Sequence, residues 1–150
     1  MIPNTELSEF FVSHGVLGLF LSSFLAATIL PFSSEIILVT LLKLGGVPEE
    51  LLISATLGNS CGGLLTYFIG RLGKLEWAQR FLGISDSQFL KYQLSSEKYG
   101  GYFGILCWLP IIGDPIALAL GYFKASLRSF IITMTLGKFL RYAVIIYTFS

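Results

Sequence analysis

The chain has 150 residues, of which 54% are hydrophobic, 15% aromatic and only 13% charged, and its mean hydropathy is +0.76. A soluble domain carries about twice that share of charge, and a chain this short has too few polar groups to cover so much apolar surface. Disorder, a collagen-like repeat and a nucleic-acid-binding tail are excluded, a formal net charge of +1 steers no partner, and one all-α integral membrane domain is expected.

Residues 1–9 carry Glu6 and Glu9 and no basic residue, unlike a cleavable signal. Residues 10–42 are apolar for longer than the roughly 20 helical residues that cross a bilayer core, and Pro31, Phe32, Ser33, Ser34 and Glu35 interrupt them. A second apolar stretch, 51–70, is opened by Pro48-Glu49-Glu50, the proline and acids of a helical first turn. The sustained polar segment, 71–99, mixes Arg71, Lys74, Arg80, Lys91 and Lys98 with Trp77, Phe81, Phe89 and Tyr92. It is expected to form short amphipathic helices at the membrane interface, with a solvated connector as the competing reading. Within it, Ser85 and Gln88 form a capping box for a helix of roughly 86–98, ended by Gly100-Gly101. Residues 100–123 are again apolar and are interrupted by Pro110, Gly113, Asp114 and Pro115; residues 129–149 close the chain, with Lys138 and Arg141 near their middle.

Each interrupted stretch should break at its proline. The halves, of about 10–15 residues, rise roughly 15–22 Å as helix, enough to enter a bilayer and return but too little to cross it. Residues 15–44 and 100–123 are therefore expected to be re-entrant helical hairpins with tips at Pro31–Glu35 and Pro110–Asp114. Two kinked full spans are the alternative.

A shift of 79 positions brings the halves into register: Leu30-Pro31 falls on Leu109-Pro110, Glu35 on Asp114, and Thr56-Leu57-Gly58 on Thr135-Leu136-Gly137. Each repeat, about 15–70 and 100–149, is then a hairpin followed by one crossing helix, and one crossing per unit inverts the second relative to the first. The equivalent tips, Glu35 and Asp114, are expected to converge near the midplane. Basic residues collect on the side holding the linker 71–99 (Arg71, Lys74, Arg80, Lys91, Lys98, Lys124 and Arg128), with Lys43 on the other, so the linker should face the cytoplasm and both termini the outside.

Ionisable residues within membrane segments are costly and point to function. Glu35 and Asp114 suit a transport or proton-relay role, because desolvation raises a carboxyl pKa and a nearby base lowers it. Lys138 and Arg141, at i and i+3, share a helix face and suit an anionic headgroup; a purely structural ion-pair cluster is the competing reading. Gly58-x-x-x-Gly62 permits close helix approach, and Asn59, which aligns with Lys138 in the repeat, borders the same cavity. Cys61 and Cys107 lack metal-ligand spacing and read as packing residues, and the single histidine, His14, cannot build a triad or metal cluster.

The runs Leu-Pro-Phe-Ser-Ser-Glu (30–35), Gly-Asn-Ser-x-Gly-Gly (58–63) with Gly70-Arg71, Leu-Pro-Ile-Ile-Gly-Asp (109–114) and Gly-Lys-Phe-Leu-Arg-Tyr (137–142) resemble the DedA superfamily. They are closest to its small YqaA-type members, of the VTT or SNARE-associated Golgi protein group. The resemblance covers roughly 15–145. It implies paired re-entrant hairpins in an inverted repeat, a place in the cell (inner) membrane, and lipid movement, as in undecaprenyl phosphate flipping or phospholipid scrambling, with proton coupling in some members. Many members carry arginines flanking the second proline, where Cys107 and Gly113 stand here, and Ser33-Ser34 replace an aspartate common near the first.

The expected function is thus a flippase or scramblase for anionic phospholipid or polyprenyl-phosphate headgroups, coupled to protons, and not an enzyme. A small-ion or proton antiporter and a non-transporting scaffold are the alternatives. Membrane lipids and protons are the expected partners; no cofactor, metal or nucleic acid is expected, and homo-oligomerisation is left open.

Overall fold

The computed structural model describes residues 5–28, 34–74, 76, 80, 83 and 85–149, with the side chains of the first helix from His14 onward. Every element among the described residues is helical: α1 (Thr5–Ala26), α2 (Ser34–Lys43), α3 (Pro48–Arg71), α4 (Asp86–Tyr99), a 3-10 helix (Gly100–Trp108), α5 (Gly113–Tyr122) and α6 (Leu127–Phe149). α3 and α6 are long and apolar enough to cross a membrane, and α1, with 22 residues, is longer than the half-hairpin of about 10–15 residues expected there.

The local chemistry explains most boundaries. α1 starts at Thr5, ahead of the expected hairpin start at residue 15. α3 opens on Pro48 with Glu49 and Glu50 in its first turn. Before α4 the Ser85 hydroxyl accepts from the Gln88 N–H, and the Gln88 side chain accepts from the Ser85 N–H at 3.0 Å, which completes the capping box. The α-helix stops at Gly100-Gly101 as expected, but without a left-handed glycine. Gly100 has right-handed helical geometry (φ −60°, ψ −33°) and the chain tightens into a 3-10 helix. These glycines serve packing instead. A Cβ on Gly101 would stand 2.5 Å from the Ser129 Cβ and 2.9 Å from the Ser126 carbonyl oxygen, and the Thr133 hydroxyl donates to the Gly101 carbonyl at 2.6 Å.

Two compact units make up the chain, Met1–Gly62 with Lys138–Ser150, and Gly63–Gly137. In the first, α2 brings Leu38 and Leu41 against Leu51 and Ala55 of α3 and against Tyr142 and Ile146 of α6. In the second, Ala117 of α5 meets Tyr67 of α3 and Phe130 and Met134 of α6, with Cys107 in the same core. Leu38 and Ala117, Leu51 and Phe130, Ala55 and Met134, and Tyr67 and Ile146 are all separated by the 79-residue shift. Each short helix therefore packs on the first half of the long helix that follows it and on the second half of the other long helix.

Small residues set the spacing. In the first unit a Cβ on Gly58 or Gly62 would stand 2.2 Å or 2.4 Å from the carbonyl oxygen of Phe20 or Phe24, so α1 and α3 touch backbone to backbone, as the glycine spacing anticipates. In the second, Gly70 lies against the Leu118 carbonyl and Gly121 against that of Tyr67.

Each interrupted stretch does split into two helical pieces. Pro31 and Ser33 lie outside the described residues; Ser34 and Glu35 open α2 and so stand in a helical first turn rather than in a connecting loop. In the second stretch the break is Leu109–Ile112, with Pro110 exposed and Ile111 left-handed at φ 69°. Gly113 and Asp114 open α5. Gly113 is buried because a Cβ there would stand 2.5 Å from the Cys107 carbonyl oxygen. Cys107 is a buried packing residue, as expected, whereas Cys61 is exposed. In the polar segment α4 buries none of its residues and exposes Leu90, Tyr92 and Leu94 among charged neighbours; Trp77 and Phe81 lie outside the described residues.

Replacing Gly121 with valine should lower stability by about 3 kcal/mol, the upper end for overpacking, since backbone rather than a flexible side chain must yield. Gly18, with nothing within 4 Å of an added Cβ, should accept alanine with unchanged or higher stability. Thermal unfolding of the two variants in detergent checks both.

Candidate functional site

The first unit buries a polar centre halfway along the two long helices. Lys138 lies at the middle of α6 and is 2% exposed. Its ammonium donates to the Asn59 carbonyl oxygen at 2.7 Å and to the Asn59 side-chain Oδ1. Asn59 lies at the middle of α3 and is itself buried. With Oδ1 turned to the ammonium, its Nδ2 donates to the Tyr142 phenol at 2.8 Å. That phenol also shares a 2.8 Å hydrogen bond with the Ser34 hydroxyl.

The residues next in sequence make the second connection. Glu35, beside Ser34, accepts from the Arg141 guanidinium, beside Tyr142. Two adjacent residues in the first turn of α2 thus join two adjacent residues of α6. Lys138, Arg141 and Tyr142 follow the i, i+3, i+4 spacing that puts side chains on one helix face. The Glu35 carboxylate also benefits from the N-terminus of α2. The ion pair is partly accessible, with side chains 34% and 22% exposed, whereas Lys138, Asn59 and Tyr142 are buried.

Thr56 and Ser60 flank Asn59 on α3 and follow the same spacing. Their buried hydroxyls have no hydrogen-bond partner among the described residues. Each offers a seat for water or for a polar part of a ligand. The centre therefore combines an ammonium, a guanidinium and a carboxylate with an amide, a phenol and several hydroxyls. It has the groups needed to hold an anion and to pass hydrogen bonds along a chain.

Among the residues singled out from the sequence, Glu35 joins Arg141, Lys138 joins Asn59, and Ser34 enters through Tyr142. Asp114 sits half-buried in the first turn of α5, in the second unit, near Gly113 and Pro110. Tyr142 is the residue that sequence reasoning missed. Its signal was present: it follows Arg141 directly and stands one turn after Lys138. Asn59, inferred only from its alignment with Lys138, is the direct partner of that lysine across 79 residues. No group of three or more His, Cys, Asp or Glu residues suited to a metal occurs among the described residues.

Comparison with known proteins adds an independent line. The VTT domain family matches residues 14–150. Inner membrane protein YqaA of Escherichia coli (strain K12) is 38% identical over 134 residues, covering 85% of this chain and 86% of that protein. An uncharacterized protein of Haemophilus influenzae is 32% identical over 148 residues, covering 93% of this chain and 90% of its own. An alkaline phosphatase-like protein of Lactococcus lactis subsp. cremoris is 33% identical over 122 residues, which is 71% of this chain and 56% of that one. No solved structure matches.

Replacing Tyr142 with phenylalanine removes the one hydroxyl that meets both Ser34 and Asn59. It should cost about 1–3 kcal/mol, the penalty for leaving buried polar groups unsatisfied. Replacing Glu35 or Arg141 singly with glutamine should cost about 1–3 kcal/mol, between the values for exposed and fully buried pairs, and the double replacement should cost less than the two singles together. Thermal unfolding of the four variants in detergent measures these differences.

Proposed function

Because the chain belongs to the VTT-domain (DedA) family of membrane proteins, we propose that it moves lipids with anionic phosphate headgroups across the bilayer, as a flippase or scramblase coupled to protons. The observation that carries this reading is the buried centre of Lys138, Asn59 and Tyr142, tied to the Glu35–Arg141 pair, halfway along both membrane-length helices. Polar and ionisable groups at that depth are costly, and well-packed apolar residues would serve the fold as well or better. Lys138 and Arg141 supply cationic contacts for a phosphate, with the guanidinium offering a planar fork. Glu35 releases Arg141 on protonation, which links headgroup binding to a proton.

The architecture that fits this role is an inverted repeat of two re-entrant hairpins, each followed by a crossing helix. Lengths support short arms in three of the four positions: α2 and α5 rise roughly 15 Å and the 3-10 helix roughly 18 Å, all short of a ~30 Å core, whereas the 22 residues of α1 rise roughly 33 Å. The repeat is supported by two cores built from positions 79 residues apart, and by the contact between the equivalent residues Asn59 and Lys138, as expected near a two-fold axis. Asp114 is the counterpart of Glu35 and is assigned the same proton-relay role. The protein is a multi-pass protein of the inner membrane, with segment 71–99 in the cytoplasm.

Reconstitution tests the mechanism. In liposomes carrying fluorescent phospholipids, the chain should accelerate lipid exchange between leaflets, and the Glu35→Gln, Arg141→Gln double variant should fold yet move lipid at least about tenfold more slowly, a 1.4 kcal/mol effect. A double variant that folds and transports normally overturns the proposed role of these charges. For topology, in a variant lacking native cysteines, a cysteine at Gln88 should be labelled only from the cytoplasmic side and one beside Ser150 only from outside. Labelling of both from one side contradicts the inverted hairpins.

A further inference from the structure

The second unit contains two clefts whose linings include residues adjacent in sequence. The first, about 490 Å³, is lined by Tyr92, Ser96, Tyr99, Phe103, Leu120 and Phe123 and is almost wholly apolar. The second, about 470 Å³, is lined by Phe68, Arg71, Glu97, Lys124, Ser126 and Leu127 and carries charge. Both fall within the range of small-ligand pockets. Consecutive residues divide between them. Ser96 and Phe123 line the apolar cleft, and Glu97 and Lys124, the next in sequence, line the charged one. Such a pair suits a ligand with an apolar tail and a charged head.

Lys124 carries the argument further. Its N–H donates to the Gly121 carbonyl, and the Ala125 N–H to the Leu120 carbonyl, both at 2.9 Å. This pair of bonds is the Schellman motif, whose left-handed residue is ordinarily glycine. Lys124 adopts that conformation, at φ 54°, against the steric preference of a residue with a Cβ. Local rules broken at a strained backbone point to function. The Lys124 ammonium makes no hydrogen bond or ion pair among the described residues.

Arg71, across the charged cleft, is held in place. One of its nitrogens donates to the Tyr67 phenol at 2.8 Å, and that phenol donates to the Ala125 carbonyl at 2.5 Å. Its remaining N–H groups are left for a ligand. Glu97 accepts from Gln93 at 3.0 Å and keeps acceptor capacity. Arg71 ends α3 and Lys124 stands just before α6, so both cations occur at the polar ends of membrane-length helices, where headgroups lie.

We propose that the two clefts together hold one glycerophospholipid as a resident ligand. Its phosphodiester lies between Arg71 and Lys124, a hydrogen-bond donor of its headgroup meets Glu97, and one acyl chain fills the aromatic cleft. The site shares no residue with the Lys138–Asn59–Tyr142 centre and does not depend on whether the chain transports lipid.

Native mass spectrometry of the full chain in mild detergent, with thermal unfolding of the delipidated protein, tests the assignment. The wild-type chain should retain one phospholipid. Lys124→Gly should bind a long-chain phosphatidylglycerol about tenfold more weakly, the loss of one charge-assisted contact, while its delipidated form melts no lower than wild type because glycine suits the backbone; Lys124→Arg should retain the lipid. Equal lipid retention by Lys124→Gly and wild type overturns the proposal. Inorganic phosphate at the same concentration should leave the melting temperature unchanged where the long-chain lipid raises it. An equal rise with phosphate alone means a simple anion site and overturns the role of the aromatic cleft. If Lys124→Gly does not fold, Lys124→Gln decides in the same way, with equal retention again contrary.

Discussion

The burial of the Lys138 ammonium halfway along a membrane-length helix is the constraint on which the polar centre depends. A buried charge must find partners or give up its charge. Asn59 meets it with both a backbone and a side-chain oxygen. Turning its Oδ1 to the lysine commits its Nδ2 to Tyr142, and Tyr142 in turn reaches Ser34. The neighbouring Glu35 and Arg141 close the same seam with an ion pair. One buried cation thus accounts for polar residues on α2, α3 and α6, in a chain where each of these helices is otherwise mainly apolar.

The close packing has a related cause. Apolar side chains gain little by leaving lipid for protein, so helices that associate in a membrane rely on contact and shape. Gly58 and Gly62 let α1 approach the α3 backbone, and Gly70 and Gly121 do the same for α3 and α5. The second unit adds an unusual element, a nine-residue 3-10 helix. Its Gly101 and Gly104 press against α6, and a hydroxyl from Thr133 satisfies a carbonyl of the first.

Much of this was legible in the sequence, for identifiable reasons. Proline breaks and the Ser85–Gln88 capping box are local, so the helix boundaries near them could be read directly. The 79-residue register linked Asn59 to Lys138 before any contact was known, and the glycine pair on α3 announced a close approach. What stayed hidden was set by tertiary context. A tyrosine in an apolar helix looks like core until the partners of its hydroxyl are seen, so Tyr142 escaped notice. Gly100-Gly101 does end the α-helix, but its packing role was hidden, because spacing alone does not tell a left-handed glycine from one that makes room for a neighbour. The left-handed lysine at 124, where the Schellman motif ordinarily takes glycine, carries no sequence signal at all.

The central claim is that the buried cation serves lipid movement and not only the fold. The most direct measurement is the rate of phospholipid exchange between leaflets in proteoliposomes for the wild-type chain and for Lys138→Met, which keeps an unbranched side chain one atom shorter and removes its charge. Circular dichroism and gel filtration confirm that both are folded. The account predicts that the folded Lys138→Met chain loses at least about tenfold in exchange rate, equivalent to 1.4 kcal/mol in the barrier. Exchange at the wild-type rate in a folded Lys138→Met chain would contradict it and leave the polar centre with a structural role alone.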